Sequence, residues 1–172
     1  MIRLIATDMD GTLLDDDARV PEETFDLVRE LTDRGVRFVV SSGRRYSTLR
    51  WMFEPVADRI DYVASLGTQV WADGRQLGRE VFSTMAVSRL FETCNRFDCL
   101  HLALYDETRT FLLNDQSAYL RELDKDLPEA QCVFDPPSPD VSIVKASVCC
   151  DRPDQIMDMA YVLESEMSEW FT

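Results

Sequence analysis

Ile2-Arg3-Leu4-Ile5-Ala6-Thr7, followed by Asp8-Met9-Asp10-Gly11-Thr12-Leu13-Leu14, carries more information than any other stretch of the 172-residue chain. The first six residues form a short apolar run ending on a carboxylate, the pattern of a buried strand whose C-terminal end meets a loop. Residues 11–20 read as that loop. Pro21, Glu22 and Glu23 then open a helix. Phe25, Val28, Leu31 and Thr32 follow at helical spacing, and Gly35 stands where the helix should stop. RFVVSS (37–42) is a second apolar run and leads into Ser42-Gly43-Arg44. Strand, loop, helix, strand and turn in this order describe a βαβ crossover, hence a parallel sheet and an α/β fold.

Further along, a helix is expected over Tyr46 to Phe53, stopped by Pro55. DYVAS (61–65) reads as a third strand. Thr68 to Ala72 and Gln76 to Phe82 flank Asp73-Gly74, a hairpin signal. Beyond residue 82 the texture changes. Thr84 to Phe97 is helical, with Met85, Leu90, Phe91 and Cys94 as its inner stripe. Leu100 to Tyr105 and Thr110 to Leu113 make a hairpin around DETR. Ser117 to Leu127 is a helix closed by Pro128, FDPPSPD (134–140) a loop, SIVKASVCC (142–150) a strand and Asp154 to Met167 a helix. Two modules result, 1–82 and 83–172.

Charge divides in the same way. The formal net charge is −14. Residues 1–82 hold 11 basic and 15 acidic residues, and residues 83–172 hold 7 and 17. An apolar fraction of 45% closes a real core, which excludes a disordered acidic tail. So acidic a surface argues against nucleic acid as a partner. No apolar run approaches the roughly 20 residues of a membrane span, and the N-terminus turns acidic too early for a secretory leader. A soluble, cytoplasmic protein is expected. The five cysteines show no CxxC spacing, and adjacent Cys149 and Cys150 should face opposite sides of a strand. With His101 the single histidine, and expected to be an ordinary strand residue, any metal chemistry must rest on carboxylates.

Asp8 and Asp10 lie two apart at the C-terminal end of a parallel strand, where open α/β sheets bind ligands. Two buried carboxylates together demand a cation or a proton, and Mg²⁺ suits oxygen donors. Gly11 lets the backbone approach a phosphate, and the N–H groups of Gly11 and Thr12 can cradle its oxygens. The bland alternative is an Asp-rich surface turn. Ser42-Gly43-Arg44 closes a neighbouring parallel strand, so it belongs on the same sheet edge. Ser42 is a suitable donor to a phosphate oxygen. Arg44 either adds positive charge there or pairs with a neighbouring carboxylate, whereas Arg45 and Arg50 read as solvated helix residues.

DMDGTLL after a strand, then a helix, then FVVSSGR, resembles the haloacid-dehalogenase superfamily of phosphohydrolases, in particular its Cof-type branch of capped sugar-phosphate phosphatases. The resemblance implies a Rossmann-like parallel-sheet core followed by an α+β cap, the first to about residue 82 and the second from 83. It implies that Asp8 is the nucleophile, forming an aspartyl-phosphate, and that Asp10 protonates the leaving alcohol and then deprotonates water. It implies Mg²⁺ on the Asp8 carboxylate and the Asp10 carbonyl, with Gly11, Thr12, Ser42, Gly43 and Arg44 around the phosphate of a small phosphorylated metabolite. A phosphomutase of the same superfamily shares the first motif.

Two departures accompany the resemblance. The family's Lys after the cap and its acidic GDxxND-type loop have no counterpart here; only Lys125 and Lys145 occur, the latter in a cap-strand position. The expectation is therefore a chain that stops within the cap, with core and cap both incomplete and one sheet edge open to self-association. Like charges at roughly 4 Å repel by about 4 kcal/mol at an effective dielectric near 20, about three decades in rate. That deficit makes a non-catalytic binding or oligomerising module the alternative to a phosphatase. Second, SLGTQVW (65–71) stands where relatives read Asn-Gly-Ala, so Leu66 replaces the Asn.

Overall fold

The computed structural model describes residues 2–114 and 130–170. It divides into two compact units, Met1–Glu80 and Val81–Thr172.

The first unit is a five-stranded sheet in the order β1-β2-β3-β4-β5. Strands β1 (Leu4–Asp8), β2 (Arg37–Ser41) and β3 (Asp61–Ala64) are parallel, and β4 (Gln69–Ala72) and β5 (Arg75–Arg79) add an antiparallel hairpin. The α/β fold read from the sequence is borne out. Helix α1 (Glu22–Asp33) carries the first crossover and buries Thr24 and Val28. It ends as the glycine requires: Gly35, at φ 76°, donates to the Thr32 carbonyl, and the Val36 N–H reaches Leu31 O, both at 3.0 Å. Helix α2 (Tyr46–Met52) follows β2, and Pro55 lies in a short 3₁₀ turn, Glu54–Val56, just past its end. Asp73 and Gly74, at φ 51° and 71°, give the β4–β5 turn its two left-handed residues.

Packing is one-sided. Phe38, Val40, Tyr62 and Ala64 point from the sheet onto Val28, Leu49, Phe53 and Val56, with Ile5 at the margin. Edge-to-face contact of Phe25 with Phe53 and stacking of Tyr46 on Trp71 at 4.0 Å tighten this layer. The opposite face runs through Leu4, Ala6 and Asp8, all exposed. This corrects the expectation of a buried strand. Strand β1 is an edge strand covered on one side, so alternate residues meet solvent even though the run is apolar throughout.

The second unit holds a four-stranded sheet in the order β8-β7-β6-β9. Its strands are β6 (Leu100–Tyr105), β7 (Thr110–Leu113), β8 (Gln131–Val133) and β9 (Lys145–Cys150). Helices α3 (Thr84–Asn95) and α4 (Ile156–Met167) pack on one face against Leu100, Leu102 and Leu104. Thr93 donates to Glu166 at 2.8 Å and Arg96 pairs with the same carboxylate, tying α3 to α4. Ser83 caps α3 by accepting the Ala86 N–H at 3.1 Å. The inner stripe of α3 is Ala86, Val87, Leu90, Phe91 and Cys94; Met85, expected there, is exposed because at 100° per residue it falls on the side of the helix opposite that arc. Burial pushes the Cys94 thiol up to about 12. Cys150 packs with the helix-facing core and Cys149 with the opposite face, as adjacency on a strand requires. His101 lies in β6, buried, with Nε2 3.1 Å from Asp151 Oδ2. Strand β8 had no counterpart in the sequence reading, and the helix expected over Ser117 to Leu127 lies outside the described residues. No helix among the described residues is long and apolar enough to cross a membrane.

Candidate active site

The parallel register pairs Asp8 with Ser41, so β1 and β2 end side by side and their following loops leave the same edge of the sheet. The carboxylate pair and the Ser-Gly-Arg turn are thus brought together, as expected. After Asp8 the chain turns inward once: Met9 is fully buried, and its carbonyl accepts the N–H groups of Thr12 at 3.3 Å and of Leu13 and Leu14 at 3.0 Å. That anchor throws Asp8 and Asp10 outward on either side of a buried side chain, and both are exposed. Gly11 takes φ 72°, a left-handed conformation with open space where a side chain would begin. Of the two N–H groups read as a phosphate cradle, that of Thr12 is turned toward the Met9 carbonyl.

Ser42 is buried. Its N–H donates to Val63 O at 2.9 Å and its Oγ accepts the Arg44 N–H at 3.2 Å, which leaves the hydroxyl proton as the group to offer a ligand. Arg44 forks onto Asp10: Nη2 reaches Oδ1 at 2.8 Å and Nε reaches Oδ2 at 3.3 Å. Of the two roles open to Arg44, the structure shows the ion pair. The guanidinium hydrogen bond, working against a smaller cost of burial, holds the Asp10 carboxyl below the usual carboxylate range. Arg45, by contrast, is buried at the start of α2 rather than solvated, and Arg50 pairs with Asp58 at 3.0 Å.

A second turn backs this one. The Ser65 N–H donates to Arg44 O at 2.9 Å, and the Leu66 N–H to Ser42 O at 3.3 Å. Ser65, Leu66 and Gly67 are all left-handed, at φ 52°, 61° and 97°. A Cβ on Gly43 would lie 2.9 Å from Leu66 Cδ2, so the leucine side chain rests over the Ser42–Arg44 turn. Sequence reasoning noted Leu66 in place of Asn but not its position; positive φ at a leucine has no local sequence signal.

The donors that the resemblance implies for a hard cation are the Asp8 carboxylate and the Asp10 carbonyl. Among the described residues no three His, Cys, Asp or Glu side chains converge as a metal cluster. Mg²⁺ keeps several waters and leans on one or two carboxylates plus substrate phosphate, so an exposed strand-end carboxylate fits it, whereas the Arg44-clamped carboxylate of Asp10 does not.

The α/β sheet brings the paired carboxylates and the Ser-Gly-Arg turn to one edge, in keeping with the resemblance to phosphohydrolases. The haloacid dehalogenase-like hydrolase family matches residues 5–170, and the chain belongs to that family. It is 32% identical over 96 residues to the 5-amino-6-(5-phospho-D-ribitylamino)uracil phosphatase YcsE of Bacillus subtilis, a match covering 55% of this chain and 39% of that protein. It is 32% identical over 118 residues to the Escherichia coli phosphatase YbjI, named for the same substrate, across 62% of this chain and 44% of that one. Among solved structures, SMU.1108c from Streptococcus mutans superposes with a TM-score of 0.83 at 20% identity, covering 98% of this chain and 64% of that chain. The chain spans less than half the length of these two curated relatives.

Proposed function

We propose that this chain contributes the nucleophile half of a Mg²⁺-dependent phosphomonoester hydrolase acting on small phosphorylated metabolites, sugar phosphates among them. The observation that carries the reading is the register of β1 with β2, which sets Asp8 beside the Ser42 turn. Curated relatives named as phosphatases support it. Residues 1–82 form the first part of the core and 83–172 the first part of the cap in this reading.

Asp8, an exposed carboxylate at a strand end, attacks phosphorus, and the leaving alkoxide departs on the opposite side. Ser42 donates to a phosphoryl oxygen while its backbone is held by Val63. Gly11 and Gly43 line the phosphate with backbone, the Thr12 N–H being turned to the Met9 carbonyl. Asp10 moves the proton: it must be protonated to assist the alcohol and ionised to take a proton from water. In this structure Arg44 favours the ionised form, so the acid role requires the fork to open, as a phosphate dianion competing for the guanidinium would cause. Mg²⁺, held by the Asp8 carboxylate and the Asp10 carbonyl, supplies charge neutralisation when bound.

Turnover of p-nitrophenyl phosphate with Mg²⁺ tests this. Asp8→Asn is expected to lose at least about a thousandfold, the scale of removing a group on which the chemical step depends. Equal rates for wild type and variant would remove Asp8 as nucleophile.

A second reading, a non-catalytic self-associating module, is favoured by one observation. β1 is an edge strand, and Leu4 within it and Ile2 just before it are 52% and 68% exposed. Sedimentation showing a strict monomer across concentration would remove that reading.

A further inference from the structure

We propose that Leu66 is a specificity-determining residue. Its side chain forms an apolar wall beside the phosphoryl position, favouring phosphate esters that are carbon-rich next to the ester oxygen, such as aryl or heteroaryl esters, over polyhydroxylated ones. The inference rests on the phosphoryl-site reading of Asp8, Asp10 and Ser42, and narrows its substrate class.

Folding does not account for a leucine here. Its backbone sits at φ 61° and ψ 26°, where glycine and asparagine are at ease and a leucine is strained. Nor is the side chain in the core, for Leu66 is 75% exposed. A residue unsuited both to its backbone conformation and to its solvent exposure points to a contact made with something else.

Position says what that contact is. The 65–67 turn is fastened to the 42–44 turn by the bonds from Ser65 N–H to Arg44 O and from Leu66 N–H to Ser42 O. The Leu66 Cδ2 lies against Gly43, between the buried hydroxyl-bearing Ser42 and Arg44, which grips Asp10. Ser42, Arg44 and Asp10 offer donors and charge, and Leu66 is the apolar element next to them. Small-molecule sites join a few placed polar groups to apolar walls in this manner. A ring face or an unsubstituted carbon against Leu66 removes apolar surface from water on both partners. A hydroxyl held there gives up water and finds no hydrogen-bond partner in the leucine.

Two non-hydrolysable probes test this without turnover: phenylphosphonate and 2,3-dihydroxypropylphosphonate, titrated calorimetrically with Mg²⁺ into the 172-residue chain. Wild type should bind phenylphosphonate about fivefold more tightly, the low end for an open apolar contact. Leu66→Asn should bring the ratio toward one while leaving the thermal midpoint equal or higher, because Asn accepts the left-handed backbone. Leu66→Met should retain the preference. An unchanged ratio in Leu66→Asn would overturn the inference. Ser42→Ala separates the two layers, since it should weaken both phosphonates alike. If neither phosphonate binds wild type, or Ser42→Ala affects neither, the phosphoryl-site reading itself fails and takes this inference with it.

Discussion

Each unit holds an aspartate gripped by an arginine close to a turn, and the two grips have different physical meanings. Asp106, at the end of β6, keeps only 9% of its side chain exposed. It accepts the N–H of Thr108 at 2.8 Å and that of Arg109, and the Arg109 Nε lies 2.6 Å away. Burial works against its charge, but the two N–H groups and the guanidinium outweigh that and hold the carboxyl below the usual range. Asp10, by contrast, is gripped by the Arg44 side chain, and 61% of its own side chain is exposed. Asp106 is fastened into the polypeptide, whereas Asp10 is held by a side chain that can let go. A carboxylate completing a turn's hydrogen bonds stabilises a fold, and one held by a displaceable guanidinium remains available for chemistry.

Removing each carboxylate should separate the two most widely. Asp106→Ala leaves the Thr108 and Arg109 N–H groups without their acceptor, and the expected cost is about 2 kcal/mol, measured by urea unfolding. Asp10→Ala removes an exposed pair and should cost less than about 1 kcal/mol, while phosphatase turnover falls steeply. Equal destabilisation by the two substitutions would erase the distinction.

Acid sharpens the comparison. Both carboxyls are depressed on folding, so the stability each adds is fully present above the unfolded carboxyl's value, near pH 4, and is lost as pH falls through the folded value. Because Asp106 is held by more groups and is less exposed, Asp106→Asn should flatten the fall in stability below about pH 4 more than Asp10→Asn does. Unfolding midpoints between pH 5 and 2 would show it; equal curves for both variants would contradict the ranking.

Much of this was legible from residue patterns. The alternation of apolar runs with a capped helix gave β1, α1 and β2, and Asp73-Gly74 gave the second hairpin, because turn chemistry and periodicity act over a few residues. The gathering of Asp8 with the Ser42 turn followed from crossover topology alone. What escaped is non-local. Whether a strand is covered on one face or two depends on elements outside its own sequence, which is why β1 read as buried while Leu4 and Ala6 are exposed. Arg44 could have faced a phosphate or a carboxylate, and a separation of 34 positions from Asp10 carries no signal of which. Short β8 follows from pairing with β7 and not from its own three residues.

The smallest expected effect is the most discriminating for the site. Arg44→Gln keeps a polar side chain of similar reach but removes the charge and the fork. Stability should change by less than about 0.5 kcal/mol, since the lost pair is partly exposed and its partner is hydrated when released. The Asp10 titration, followed by carboxyl carbon NMR, should nonetheless move upward, because the first cause of its depression is the hydrogen bond from Arg44. A higher Asp10 value increases the protonated fraction at a given pH, so the acid-assisted step becomes less dependent on opening the fork. With phosphate esters of poor leaving alcohols, which need that proton most, the variant should lose less activity than with p-nitrophenyl phosphate, whose phenolate leaves without it. If both substrates lose activity in equal measure while Asp10 titrates unchanged, Arg44 acts on the phosphate alone and the grip on Asp10 has no chemical role.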